Sequence, residues 1–252
     1  MVTLCLSISD IIQISIGSIT AIALFITGLS YFLSRHTYKK QYEYNKKMKS
    51  LEIADEMAVF ISRDISKVLK PFSDPDLKSF LNDYFSADDS LSFDYHSLES
   101  RCKKPPLTRF SSAEEFHTEY LKLIFNYFRK ERIAAGDSAV EVDKNALKDV
   151  KEHNILFTLT LNKIEGKSMY FCTEIADEEI VYPSIHQVFL KLIKISSIRI
   201  SVINKTTYDE YFKYTIELYR LWNKRQIEYN ETADSEKIIH NQRMIEKNKF
   251  KN

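Results

Sequence analysis

The sequence predicts a mainly α-helical chain: an N-terminal transmembrane helix continuing into a long helix, then a helical-bundle cytoplasmic domain. Three observations carry this expectation. No charged residue lies between Asp10 and Arg35. From Leu51 onward, apolar residues recur at three- and four-residue steps. Helix start signals stand at Asp74-Pro75, at Ser112 to Glu115 and at Asp177-Glu178-Glu179. The chain then divides into 1–34 (N-terminal segment and span), 35–70 (basic juxtamembrane helix), 71–231 (helical domain) and 232–252 (charged tail).

The run from Ile11 to Arg35, IIQISIGSITAIALFITGLSYFLSR, is long enough for the roughly 20 apolar residues that a helix needs to cross a bilayer core. Its Ser and Thr hydroxyls can bond back to the helix backbone. A cleaved signal peptide would place positive charge before the run and small residues at its exit. Here the charges follow it, and the exit reads YFLSRH. A buried core helix would rarely be apolar around its whole circumference. Arg35, Lys39, Lys40, Lys46, Lys47 and Lys49 flank the far end and Asp10 alone the near end, so the positive-inside rule leaves the N-terminus outside and the rest cytoplasmic. The same six charges face the anionic leaflet, making the lipid bilayer the first expected partner. Gly17, Ala21, Leu24 and Gly28 fall on one helical face, and Gly17-x-x-x-Ala21 permits close helix approach. That face is a candidate for self-association; the alternative is that small residues are simply common in membrane helices.

A formal net charge of +1 argues against a polyanion binder. Cys5, Cys102 and Cys172 show no paired spacing, which suits a reducing compartment rather than a disulfide scaffold.

Leu51, Ala54, Ala58, Ile61, Ile65 and Val68 form a heptad seam in a helix that ends before Pro71. The seam is either a stalk joining protomers or the inner face of a helix packed on its own domain. Asp74 as N-cap and Pro75 in the first turn open a short helix through Phe85. Residues 86–108 read as irregular, the best candidate for a surface loop or partner site. Ser112 to Glu115 has capping-box spacing, with Phe116, Tyr120, Ile124 and Phe128 following at helical spacing. Gly136 breaks the chain, a long helix runs from about Asp143 to Phe171, and Asp177 opens another to about Lys194, with Pro183 near its first turns. SIRISVI, Ser197 to Ile203, alternates like a strand but has no partner strand, and reads as a helix end or connector. Thr207 to Glu210 is another capping-box candidate, opening a helix with Tyr211, Tyr214, Leu218 and Leu221 on one face.

No catalytic, cofactor-binding or metal-binding residue is assigned. Glu165-Gly166-Lys167-Ser168 lacks the earlier glycine of a phosphate loop, because position 161 is Leu161. The six histidines are scattered, with none paired at helical metal-site spacing. Cys172 lies in the apolar run MYFC, where thiols are usually inert. Asn162 and Glu165, three apart on the long helix, read as a buried polar pair that holds helices in register.

The stretch LTLNKIEGKSMYFCTEIADEEIVYPSIHQVFLKLIKI, then YDEYFKYTIELYRLW, resembles a family of bacterial membrane-anchored proteins with one N-terminal span and a Leu-Asn-x-x-Glu helical domain. The motif positions are Leu161, Asn162 and Glu165, then Asp177 and Glu178, then Tyr211, Leu218 and Trp222. The family pattern has Gly near the turn before Asp177, where Ile175-Ala176 stand here. The layout is similar to phage-defence proteins, the abortive-infection and retron-associated transmembrane effectors. The family has no established reaction; the anchor, its small-residue face, the heptad seam and the lack of a catalytic constellation lead to the expectation of a non-enzymatic inner-membrane effector, homo-oligomeric through the span and juxtamembrane helix, that responds to a cytoplasmic protein or nucleoprotein. The alternative is a membrane scaffold recruiting a cytoplasmic enzyme or nucleoprotein complex.

Overall fold

Sequence continuity without a breaker explains the first element. No proline occurs before Pro71, and α1 runs from Ile8 to Phe60. The computed structural model describes residues 8–87, 91–205 and 211–249, with side chains for 24–61, 63–87, 91–205 and 211–232. Two units divide the chain, 1–49 and 50–252.

In the first unit every side chain from Leu24 to Asn45 is exposed, including Leu24, Phe25, Ile26, Leu29, Phe32 and Leu33. Of the charges that follow, Arg35, Lys39, Lys40 and Lys47 are exposed, and Lys46 and Lys49 are half-buried. The face expected to self-associate is described only in part: Leu24 and Gly28 are exposed, and the side chains of Gly17 and Ala21 lie outside the described residues. Among the described residues no helix is long and apolar enough to cross a membrane. The side chains of the first half of the apolar run, residues 11–23, lie outside that description.

The second unit is mainly helical, with no strand among the described residues. After α1 come a π-helical turn (Ile61–Ile65), α2 (Ser66–Leu69) and a 3-10 turn (Lys70–Ser73). Then follow α3 (Pro75–Ser86), α4 (Tyr95–Cys102), α5 (Ala113–Ala134), α6 (Ala139–Cys172), α7 (Glu178–Ile203) and α8 (Lys213–Lys249). The caps are local and strong. The Asp74 carboxylate accepts from Asp76 N at 3.0 Å and Leu77 N at 3.4 Å, with Pro75 behind it. Ser112 Oγ accepts from Glu115 N at 3.2 Å, while Glu115 reaches one residue further back, to Ser111 N at 2.7 Å. Gly136, at φ +89, lets α5 stop and α6 start. Pro183 sits in the second turn of α7.

One apolar core joins the unit, with α6 packed on α5 and α8, and α7 on α4 and α8. Arg132 holds Asp149 with two bonds of 2.6 and 2.5 Å, tying α5 to α6.

Two expectations need correction. The heptad seam fails at its start: Leu51 and Ala58 are exposed, whereas Ser50, Ile53, Met57 and Phe60 are buried. The π turn is the reason. It adds a residue to the helical repeat, so the inward stripe falls on 50, 53, 57 and 60 before it and on Ile65 and Val68 after it. A constant heptad read backward from Val68 therefore lands one residue off. Residues 86–108 are not an irregular loop throughout, because Asp94 caps Ser97 N at 2.7 Å and opens α4. Leu98, Cys102 and Leu107 are buried there, and buried Arg101 donates to the Tyr84 carbonyl at 2.9 Å. SIRISVI is a helix end, one of the two readings offered for it; what differs is the boundary, since α7 runs nine residues past Lys194 because its apolar positions also fit a helix buried on several sides.

Candidate functional site

The residues singled out by the motif gather where α8 joins the bundle. α6 brings Glu165 to the start of α8, and its carboxylate accepts from Tyr214 N at 3.2 Å, Thr215 N at 2.8 Å and Thr215 Oγ1 at 2.7 Å. These are orphan donors of a helix N-terminus, so a side chain from another helix serves as the cap. Phe212, just before α8, holds a left-handed φ of +63, and Asn204 clasps Tyr211 N at 3.0 Å. On the next helix Asp177 caps Glu179 N at 3.1 Å, and its own N–H donates to buried Ser50 Oγ at 2.6 Å. Glu178 accepts from Trp222 Nε1 at 2.8 Å and from Arg225 Nη2 at 2.5 Å. Trp222 is fully buried against Phe189, Tyr182 and Phe171, with ring centroids 4.8, 5.4 and 6.3 Å away.

Leu161 and Leu218 are buried beside this joint, and Tyr211 is exposed. Two readings change. Asn162 does not pair with Glu165; it is exposed, because three residues on an α-helix carry it past the buried edge. The expected apolar face of α8 is shifted: Tyr211 and Leu221 are exposed, while Thr215, Ile216, Leu218, Tyr219 and Trp222 are buried. Thr207 to Glu210 lies outside the described residues. The turn before Asp177 is closed by Glu174 in a left-handed conformation, φ +59.

A second feature flanks the π turn. The extra residue turns Asp64 inward, where it accepts from Arg63 Nε at 3.0 Å and Lys163 Nζ at 3.2 Å. The Arg63 guanidinium, with Lys163, holds the Asp64 carboxyl below the usual carboxylate range despite its burial. Beside it α1 and α6 border a groove of about 460 Å³ lined by Met57, Val59, Phe60, Gly166, Met169 and Tyr170 among others.

The third feature lies in the core between α5, α6 and α7. The Arg199 guanidinium sits 4.4 Å from the Phe157 ring centroid, and its Nη1 is sealed from solvent without a hydrogen-bond partner. Tyr120, fully buried and stacked on His117 at 6.1 Å, has an unpartnered hydroxyl. His153 lies with Nε2 3.0 Å from the Val68 carbonyl, which a neutral Nε2–H tautomer satisfies, leaving Nδ1 without a partner. Burial lowers the pKa of both histidines, and the nearby Arg199 charge lowers them further. Sequence reading missed this cluster. The one available signal was Arg199 as the lone charge in the apolar run Ile195 to Ile203.

Among the described residues, no group of three His, Cys, Asp or Glu is placed to hold a metal ion. Burial pushes the Cys102 and Cys172 thiols up to about 11, far from a reactive thiolate. Comparison with family models, curated proteins and solved structures finds no match.

Proposed function

We propose that this protein is a membrane-anchored, non-enzymatic component of bacterial antiviral defence. In this reading it perturbs the inner membrane by self-assembly once its cytoplasmic domain meets a partner or trigger. The observation that carries the reading is the row of exposed apolar side chains on α1, Leu24 to Leu33, followed at once by the basic segment from Arg35. Apolar side chains exposed in this way on a helix need a covering, and the uncharged run they belong to matches the thickness of a bilayer core. The defence setting is supported by the layout, an apolar run, a basic segment and a helical domain, which is similar to that of phage-defence proteins.

The test is membrane potential, read with a voltage-sensitive dye in bacteria induced to express the full chain, with and without phage. Depolarisation that disappears when residues 1–34 are deleted is expected. A steady potential in cells whose membranes retain the protein after alkaline extraction would overturn the effector and leave the scaffold.

A further inference from the structure

The groove between α1 and α6 has its two walls set antiparallel, since Lys163 holds Asp64 and Lys167 holds Glu56. Its lining runs from Glu56 to Arg63 on one wall and from Asn162 to Tyr170 on the other, about 10–12 Å of helix. Met57 and Phe60 are buried and form the floor, whereas Val59 and Met169 are exposed by 55 % and 37 % on the rims. Between the ends, a Cβ built on Gly166 would meet nothing within 4 Å, so the glycine keeps the channel open.

The two ends differ in charge. At the far end Lys167 and Glu56 pair one to one. At the π turn two cations share one carboxylate: Asp64 accepts from Arg63 at 3.0 and 3.2 Å and from Lys163 at 3.2 Å. Lys163 Nζ also lies 5.0 Å from the Phe60 ring centroid, against the apolar floor. The Arg63 and Lys163 side chains are 65 % and 53 % exposed, so their remaining N–H donors are open to a ligand. The cations at this end thus outnumber the carboxylate they hold. Such π turns are rare and often stand at functional sites, and this one sets Arg63 and Asp64 side by side at the groove.

A ligand that satisfies both ends has one anionic head and an apolar body thin enough for the channel. A volume of about 460 Å³ is that of a small-molecule site. An α-helix, about 10–12 Å across, is as wide as this groove is long, so a protein helix would insert only a few side chains. An acyl chain enters whole. Its methylenes would lie against Phe60, Met57 and Met169, whose flexible thioethers adapt to the shape of a chain. A doubly charged phosphate head would leave negative charge unmatched, whereas a carboxylate balances the surplus at Arg63 and Lys163.

We infer that the α1–α6 groove binds a free single-chain fatty acid, its carboxylate at Arg63 and Lys163 and its chain past Gly166 toward Met57 and Met169. This goes beyond the proposed function and uses no residue of the apolar run. Exposed ion pairs contribute little alone, so the chain supplies most of the affinity and the head supplies selectivity.

The experiment is photolabelling of the full chain in native membranes by decanoate with a diazirine at its chain end, followed by peptide mapping. Labelling is expected on the peptides around Met57 and Met169. Gly166→Leu, which fills open space with a better helix former, should reduce it roughly tenfold or more while leaving helicity and the labelling of residues 1–34 unchanged. Competition by unlabelled decanoate and decanol reads the head. The ratio of their half-competing concentrations, decanol to decanoate, should fall about threefold in Lys163→Gln, and bilayer partition cancels in that comparison. Labelling confined to residues 1–34 would mean bilayer partition only and overturn the inference. So would groove labelling that Gly166→Leu leaves intact, or a ratio that Lys163→Gln leaves unchanged. Stronger groove labelling by a diazirine-bearing phosphatidylglycerol than by the acid would assign the groove to membrane lipid and overturn it as well.

Discussion

Two polar junctions inside the helical unit are built on opposite terms. At the start of α8, Glu165 and Glu178 each receive several donors, and the donors come from one helix while the acceptors come from two others. In the core between α5, α6 and α7, Arg199 has a ring beneath it and no acceptor at Nη1, while the Tyr120 hydroxyl nearby is also bare. The first arrangement recovers the cost of removing charge from water through short, charge-assisted bonds. The second relies on a cation–π contact and leaves donors in surplus. The difference separates a joint that holds α8 in place from a buried spot whose donors outnumber their acceptors.

The largest effect that would break this contrast is at the joint. Glu178→Ala leaves the Trp222 Nε1–H and the Arg225 guanidinium without their acceptor. A loss of about 2–3 kcal/mol in unfolding free energy is expected, measured by chemical denaturation in detergent. A loss of only a few tenths would mean α8 is held by Trp222 packing alone.

At the other junction the sign should reverse. Arg199→Met keeps an unbranched apolar stem over Phe157 and removes the unpaired charge, so stability should rise by about 1 kcal/mol. The same denaturation experiment decides it, and a fall would reveal an acceptor that Arg199 holds in the native protein.

The smallest effect is the pH dependence of that cluster. His117 and His153 both titrate below their ordinary range because of burial, with Arg199 adding repulsion. With the folded pKa below the unfolded one, the unfolded chain binds more protons once the pH drops under about 6.5. Their contribution is therefore complete above that pH and is lost on acidification toward and through the folded value. The unfolding midpoint should fall between about pH 7.5 and pH 5.5, and less steeply in Arg199→Met. A profile flat over that window would place both rings in contact with solvent. Asp64 and Asp74, whose pKa values are lowered, act only nearer pH 4 and below and do not confuse the reading.

Local signals account for what was legible in advance. Asp74-Pro75, Ser112 and Asp177 each cap a helix through bonds to residues two or three positions away, and such bonds are written in adjacent sequence. The seam on α1 misled because a π turn has no comparable mark in sequence, and one extra residue moved the whole buried stripe. Asp94 shows the same limit on a smaller scale: its cap was local, but the acidic and proline-rich surroundings concealed the helix behind it.

By itself the sequence determined the helical class, the starts of α3, α5 and α7, the break at Gly136 and the uncharged apolar run ahead of the basic residues. All depend on interactions within about one helical turn or on the composition of one segment. Only the tertiary structure decided that Glu165 caps a helix nearly fifty residues away, that Glu178 holds Trp222 and Arg225, and that Arg199 lies over Phe157. Periodicity states which residues share a side of a helix, but not which neighbour that side meets. That is set by how α5, α6, α7 and α8 pack, and by where burial leaves each charge its partner.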